Sequence, residues 1–105
     1  MKSLNVQELK TLIDSGESFQ LIDVREIAEF EEANLKGVLI PLATVPGNVD
    51  KIDKTTKVII HCRSGKRSAN AISYLENNHG YTNLYNLEGG ILAWRDEIDD
   101  SLDVH

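Results

Sequence analysis

The chain has 105 residues, of which 41% are hydrophobic and 27% are charged, and its formal net charge at pH 7 is -6. We expect residues 1–105 to form one domain with a single core and a frayed acidic end at 95–105. No apolar run approaches the roughly 18 to 20 residues of a membrane span, and no signal-peptide core is present, so a cytoplasmic location is expected. The acidic net charge argues against a nucleic-acid partner. The single cysteine excludes an internal disulfide, and with only three histidines in the chain no metal-ligand spacing is present.

The first half of the chain predicts helices and strands in alternation. Asn5 and Glu8 form the pattern of a capping box, which starts a helix, and Gly16 is expected to end it. The apolar runs that follow predict a strand over 19–24, a brief helix around 27–30, a strand over 37–40, and a turn with a short helix over 45–52. The acidic residues of the brief helix are expected to form a solvated face, with partner docking as the alternative: Glu26, Glu29, Glu31 and Glu32.

The second half continues this alternation. The continuous, β-branched run Lys57–His61 is typical of a central strand in a parallel sheet that is covered on both faces. The elements expected after it are a helix over 67–78 with Gly80 as its C-cap, a strand over 83–87, and a last helix after Gly89-Gly90. Strands alternating with helices predict an open α/β sheet.

The octapeptide His61–Ser68, HCRSGKRS, holds the only cysteine of the chain and three cations, with no acid among them. Ligands of open α/β folds bind beyond the carboxyl ends of the strands, where Cys62 is expected to lie. The backbone amides of 63–68 and the start of the next helix can form an anion-binding nest, and Gly65 permits a positive φ within it. The side chains expected to add charge or hydroxyl donors are Arg63, Ser64, Lys66, Arg67 and Ser68.

Two interpretations of Cys62 follow from its neighbours. A lone cysteine at the end of a strand is commonly a small buried hydrophobic residue. Cations and a helix N-terminus instead lower a cysteine pKa from about 8.5 to roughly 3.5 to 7.5. A glycine and three cations within five residues favour a reactive thiolate that attacks an anionic substrate, although composition and spacing leave the packing role open.

Four segments of the chain resemble, in order and spacing, those of single-domain rhodanese-like sulfurtransferases. They are Leu21–Glu26 followed by Glu29-Phe30, Gly37–Leu42, His61–Ser68 and Leu87–Trp94. The resemblance therefore extends from Leu21 to Trp94. The chain departs from the family at Ala33-Asn34, where the family commonly has Gly-His, and this departure concerns the local turn and its hydrogen bonds.

The resemblance implies a rhodanese-like α/β fold, with an open, mainly parallel five-stranded sheet flanked by helices. It also implies an enzyme of the thiosulfate sulfurtransferase type, in which Cys62 takes a sulfane sulfur from a donor such as thiosulfate and becomes a persulfide. The acceptor would be cyanide in vitro and a thiol or protein in the cell. No cofactor or metal is implied, the partners are a small anionic donor and that acceptor, and a monomer is the default.

Rival functions differ in what they require of the same loop. Rhodanese-like phosphatases resemble this fold but carry a Cys-x5-Arg loop, whereas Cys62 and Arg67 form the shorter Cys-x4-Arg pattern. A dithiol oxidoreductase would need a second cysteine, which the chain lacks. The remaining alternative is a sulfur-carrier or regulatory module that binds a partner without turnover.

Three further residues are assigned supporting or structural roles. The resemblance places Asp23 and Arg25 near the loop, where we expect them to brace it through charge-assisted hydrogen bonds. Strand alternation is expected to turn the side chain of His61 away from that of Cys62, so a structural role is favoured over a general base.

Overall fold

The structure is a computed structural model that describes all 105 residues, and its centre is a five-stranded sheet in which every pairing is parallel. In chain order the strands are β1 (Lys2–Leu4), β2 (Phe19–Asp23), β3 (Val38–Leu39), β4 (Lys57–His61) and β5 (Leu84–Leu87). Their spatial order is β1-β5-β4-β2-β3. The expected open α/β sheet is therefore confirmed, with the predicted central strand in the middle.

Four α-helices cover the sheet. They are α1 (Val6–Ser15), α2 (Ile27–Glu32), α3 (Lys66–His79) and α4 (Gly90–Glu97). Two short 3₁₀ helices, Leu42–Gly47 and Val49–Lys51, occupy the region predicted as a turn with a short helix. The capping box of Asn5 and Glu8 begins α1 as predicted, and Gly16 ends it with a left-handed φ of 73°.

Strand β1 is the element that the sequence patterns did not predict. Its three residues pair in parallel with β5, so that Ser3 lies opposite Asn86 and Leu4 opposite Leu87. A run this short shows no periodicity, and Leu4 is its only buried residue. Its strand conformation depends on pairing with residues more than 80 positions away, which a local pattern does not reveal.

The sheet separates two hydrophobic cores, as expected for a parallel sheet buried on both faces. On one face α1 and α4 pack over Ile59 and Leu87. On the other face α3 and the 3₁₀ segment pack over Val58 and Ile60. Cys62 belongs to this second core, because β4 alternates its side chains between the two faces.

Beyond α4 the chain turns back along its own helix. Val104 is buried, and Arg95 Nη1 donates a hydrogen bond of 2.7 Å to the Val104 carbonyl. The fraying expected of the acidic end at 95–105 stays a prediction. None of the helices combines the length and the apolar character that crossing a bilayer would require.

Candidate active site

The predicted site lies between two neighbouring strands from which the chain continues to opposite sides of the sheet. β2 and β4 are neighbours, but the chain leaves β2 towards β3 on one side and leaves β4 towards β5 on the other. In open α/β sheets the usual ligand position is beside such a divergence, at the carboxyl ends of the two strands. Asp23 is the last residue of β2, and Cys62 directly follows β4.

The loop between β4 and α3 curls around the sulfur of Cys62. The Gly65 amide donates a hydrogen bond of 3.1 Å to Cys62 Sγ, and the Ser68 amide donates one of 3.4 Å. Gly65 caps α3 at a φ of 110°, a conformation that side chains rarely allow. Two amides of the loop, those of Gly65 and Ser68, therefore point at the sulfur atom.

Backbone amides in the first turn of α4 donate hydrogen bonds to carbonyl groups of the same loop. The Ile91 amide donates to the Cys62 carbonyl at 3.0 Å, and the Leu92 amide donates to the Arg63 carbonyl at 3.2 Å. Gly90 approaches so closely that a Cβ atom there would lie 2.4 Å from the Arg63 oxygen and 2.5 Å from the Cys62 oxygen. Gly90 thus allows α4 to pack directly against the backbone of the loop between β4 and α3, which is called the sulfur loop below.

These contacts change the acidity of the thiol in opposite directions. Burial of Cys62 is the largest influence, and it acts to raise the pKa of the thiol because it removes water from the anion. The Ser68 hydroxyl and the amides of Ser68, Gly65 and Ser64 act the other way, because they stabilise the thiolate. Their sum exceeds the burial effect and holds the pKa of Cys62 below its ordinary value. The pKa direction agrees with the reactive-thiolate interpretation of the sequence.

Asn86 on β5 is a neighbour of the site that sequence reasoning missed. Its Nδ2 donates to the Gly65 carbonyl at 3.1 Å, and its Oδ1 accepts the Ser68 hydroxyl at 2.6 Å. Ser68 is fully buried, and its Oγ lies 3.4 Å from Cys62 Sγ. The single hydroxyl hydrogen of Ser68 therefore has two acceptors within reach, Asn86 and the thiolate. No motif marks Asn86, because its role depends on β5 lying beside β4.

We predict that Ser68→Ala raises the pKa of Cys62, because one donor to the thiolate is lost while the Ser68 backbone amide remains. At pH 7 the rate of Cys62 alkylation by iodoacetamide should fall roughly fivefold, and its pH profile should move to higher pH. The matched control is Ser64→Ala, which removes an exposed hydroxyl that makes no hydrogen bond in the structure. Equal profiles for the two variants would contradict a role for the Ser68 hydroxyl.

The three cations of the loop are placed differently from one another. Arg63 is exposed and its Nε donates to the His105 carbonyl at 2.7 Å, while Lys66 is exposed and forms no ion pair. Arg67 forms two bonds with Glu29, at 2.7 Å from Nη1 to Oε1 and 2.9 Å from Nη2 to Oε2. One of the three cations expected to add charge around a bound anion is thus already paired with a carboxylate.

Glu29 corrects the expectation that the glutamates of α2 are a solvated face. Its side chain is only 30% exposed, and its Oε1 also accepts the Glu26 amide at 3.0 Å to complete a capping box. The hydrogen bond from Arg67 is the largest influence on Glu29, and it outweighs partial burial to lower the pKa of this carboxyl to about 2. Glu29 is therefore ionised throughout the physiological range. The sequence carried no sign of this, because the partner is 38 positions away.

Asp23 and Arg25 form a buried ion pair that braces α2. Arg25 Nη2 lies 2.8 Å from Asp23 Oδ2 and also donates to the Ala33 carbonyl at 2.7 Å. Arg25 Nη1 reaches the Glu29 carbonyl at 3.4 Å. Neither side chain hydrogen-bonds to residues 62–68, so the pair holds the helix that carries Glu29 and does not brace the loop directly.

His61 is fully buried and turned away from the sulfur. Its Nδ1 lies 3.4 Å from the Cys62 carbonyl, and its Nε2 lies 3.7 Å from Asp23 Oδ2 without a hydrogen-bond partner. Burial is the main cause of a lowered pKa, which keeps the imidazole neutral at pH 7 even though Asp23 acts to raise it. This position fits the structural role expected from strand alternation.

The turn at Ala33-Asn34 replaces the family's Gly-His by other contacts. Ala33 is extended, with a φ of -163°, and its carbonyl accepts Arg25. Asn34 donates to the Phe30 carbonyl at 3.0 Å and accepts the Lys36 amide at 2.8 Å. The departure is thus accommodated by hydrogen bonds at the end of α2, and none of them involves residues 62–68.

Known proteins resemble this chain in both sequence and architecture. Residues 5–97 match the family model described as the rhodanese-like domain. YtwF of Bacillus subtilis, named provisionally as a sulfurtransferase, is 36% identical over 98 residues, covering 92% of this chain and 93% of its own length. A protein of Allochromatium vinosum named sulfurtransferase is 34% identical over 95 residues, covering 90% of this chain and 88% of its own.

The solved structures agree with the sequence comparison. The rhodanese-like domain protein of Staphylococcus aureus superposes with a TM-score of 0.84 at 34% identity, over 100% of this chain and 99% of that one. The two chains therefore share the five-stranded parallel sheet flanked by helices. The family match over nearly the whole sequence and the common fold lead to one conclusion: the chain belongs to the rhodanese-like domain family.

Proposed function

We propose that this protein is a sulfurtransferase that moves a sulfane sulfur through a persulfide on Cys62. The observation that supports the proposal most directly is the ring of polar groups around one buried sulfur atom: the amides of Gly65 and Ser68, which donate to it, and the hydroxyl of Ser68, which lies 3.4 Å away. Such a ring stabilises an anion at this position, whether that anion is a thiolate or a persulfide. The sulfurtransferase names of the relatives agree with this chemistry.

In the first step the Cys62 thiolate attacks the outer sulfur of the donor. With thiosulfate, a new S–S bond forms to Cys62, the bond between the two donor sulfurs breaks, and sulfite leaves with its electron pair. The total charge is conserved, because thiolate and thiosulfate give an ionised persulfide and a sulfite dianion. The donors around the sulfur lower the pKa of Cys62 and so favour the thiolate form that acts as the nucleophile.

In the second step an acceptor attacks the terminal sulfur of the persulfide. Cyanide would leave as thiocyanate, and a small thiol or a protein thiol would leave as a persulfide, in each case restoring the Cys62 thiolate. The negative charge returns to the atom that the loop amides surround, so the same donors serve both half-reactions. No cofactor is required in either step.

The other residues of the site are assigned by their distance from this sulfur. The Ser64 amide and the Ser68 hydroxyl stabilise its charge, and exposed Lys66 attracts anions to the mouth of the loop. Arg63 lies at the same rim, bound to the His105 carbonyl. Asp23 and Arg25 support α2 from behind and take no part in the chemistry.

The test is the intact mass of the reduced protein before and after incubation with thiosulfate or with a cysteine-derived persulfide, followed by cyanide. We expect the gain of one sulfur atom and its release as thiocyanate. If the protein takes up sulfur but does not turn over repeatedly with any physiological class of acceptor thiol, it is a carrier or regulatory module instead. Failure to take up sulfur from either donor would overturn the proposal.

A further inference from the structure

We propose that Glu29 is a specificity residue that shifts this site towards singly charged sulfur donors, such as persulfides of small thiols, and away from dianions such as thiosulfate. It acts by neutralising Arg67, the cation that would otherwise face the incoming anion. The inference rests on the sulfurtransferase function proposed above and concerns which donor that function takes.

The first argument is the geometry of the ion pair. The carboxylate and guanidinium meet through two parallel bonds of 2.7 and 2.9 Å, which is the strongest and most directional form of this contact. Glu29 is held in place independently by the Glu26 amide and by the attachment of α2 to Arg25. Arg67 is therefore paired with an anchored partner and not with a mobile surface acid.

The second argument is the balance of charge around Cys62. Of the three loop cations, Arg67 is paired, Arg63 is turned to the His105 carbonyl, and Lys66 alone is free in solvent. The Asp23–Arg25 pair behind α2 adds no net charge. A dianion approaching the thiolate is therefore repelled by twice the charge of a monoanion, and of the three loop cations only the exposed Arg63 and Lys66 keep an unpaired formal charge to offset this repulsion.

The third argument is that Arg67 lies within electrostatic reach of the sulfur. The hydrogen bond from Glu29 is the main cause of the raised pKa of Arg67, but the negative charge of Cys62 also raises it. Arg67 also directly precedes Ser68, whose amide donates to Cys62 Sγ, so a change in the pairing of Arg67 changes the electrostatic potential near the sulfur.

The two donor classes give the same persulfide but differ in charge. A thiol persulfide anion reacts with the thiolate so that one S–S bond forms to Cys62, the donor S–S bond breaks, and a thiolate leaves. Two single negative charges enter and two leave. Thiosulfate brings a second charge into the crevice and expels it as sulfite, so its transition state gains more from an unpaired Arg67.

The decisive variant is Glu29→Gln. Glutamine can still accept the Glu26 amide through its side-chain oxygen, so the capping box of α2 is preserved while the charge is removed. We expect kcat/KM for thiosulfate, relative to that for a small-thiol persulfide, to rise roughly fivefold at low ionic strength and less at high salt. Glu32→Gln removes an exposed glutamate of the same helix that has no charged partner, and it should leave the ratio unchanged.

Neutralising Arg67, alone and together with Glu29, completes the double-mutant cycle. Arg67→Gln leaves Glu29 uncompensated beside the crevice, and the thiosulfate-to-persulfide ratio should fall below that of the wild type. The double variant Glu29→Gln, Arg67→Gln restores the net charge of the pair, so its ratio should return close to the wild-type value. A double variant that behaves like Arg67→Gln alone would overturn the inference, since Arg67 would then bind the donor despite its pairing.

A second readout separates this inference from the sulfurtransferase proposal. Iodoacetate and iodoacetamide both alkylate the thiolate of Cys62, but only iodoacetate is charged, so the ratio of their rates reports the local potential independently of thiolate fraction. We expect Glu29→Gln to raise the iodoacetate-to-iodoacetamide ratio several-fold and Glu32→Gln to leave it unchanged. Equal ratios would refute the role of Glu29 even in a protein that transfers sulfur well. Failure of both donors with the expected alkylation ratios would instead refute the proposed function alone.

Discussion

Cys62→Ser is expected to take up no sulfur from any donor and to lower sulfur transfer at least roughly a thousandfold. A serine hydroxyl stays protonated at neutral pH, even within a ring of amide donors, and its oxygen does not form the S–S bond that carries the sulfane sulfur. The side chain is nearly isosteric, and the buried hydroxyl would meet the Ser68 hydroxyl and the Gly65 amide as partners. The fold should therefore be retained.

The measurement is intact mass after donor treatment together with thiocyanate release, with the thermal unfolding midpoint as the check on folding. If the variant unfolds within a few degrees of the wild type but gains no sulfur, Cys62 is the residue that forms the persulfide. Turnover retained by Cys62→Ser would show that the sulfur passes directly from donor to acceptor. That outcome would overturn the persulfide mechanism, because the chain has no second thiol.

Gly90→Ala is expected to be the most damaging small substitution in the chain, with a loss of about 2 to 4 kcal/mol in the free energy of unfolding. The new Cβ would lie 2.4 Å from the Arg63 carbonyl oxygen, which is a backbone atom of the sulfur loop. Gly90 also has a φ of 59°, which alanine adopts only at a cost of roughly 1 kcal/mol. Relieving the clash would displace the loop and weaken the Ile91 bond to the Cys62 carbonyl.

Gly80→Ala provides the matched control for this prediction. Gly80 has a similar φ of 67°, but a Cβ there would meet nothing within 4 Å, so the variant measures the backbone cost alone. Chemical denaturation should place Gly90→Ala well below Gly80→Ala in stability, and only Gly90→Ala should also slow the alkylation of Cys62. Equal stability of the two variants would contradict a steric role for the contact between α4 and the loop.

Much of the local structure could be predicted because it depends on residues close together in the chain. The capping box of Asn5 and Glu8 lies within one helical turn, and Gly16 ends that helix through its own φ. The run Lys57–His61 is recognisable as a central strand from its composition, and a cysteine directly after such a strand must lie at the ligand-binding edge of the sheet. The amide nest around Cys62 follows from the same short segment.

The sequence by itself thus determined the fold class, the order of the main elements and the position of Cys62 after the central strand, since each depends on neighbouring residues and on their resemblance to the family. Only the tertiary structure decided the pairing of β1 with β5 and the partners of the loop. Glu29 with Arg67 and Asn86 with Ser68 are separated by 38 and 18 positions. Whether a charge faces substrate or is neutralised by a partner depends on which strands are adjacent and how helices pack over them, and no local pattern of residue types specifies that arrangement.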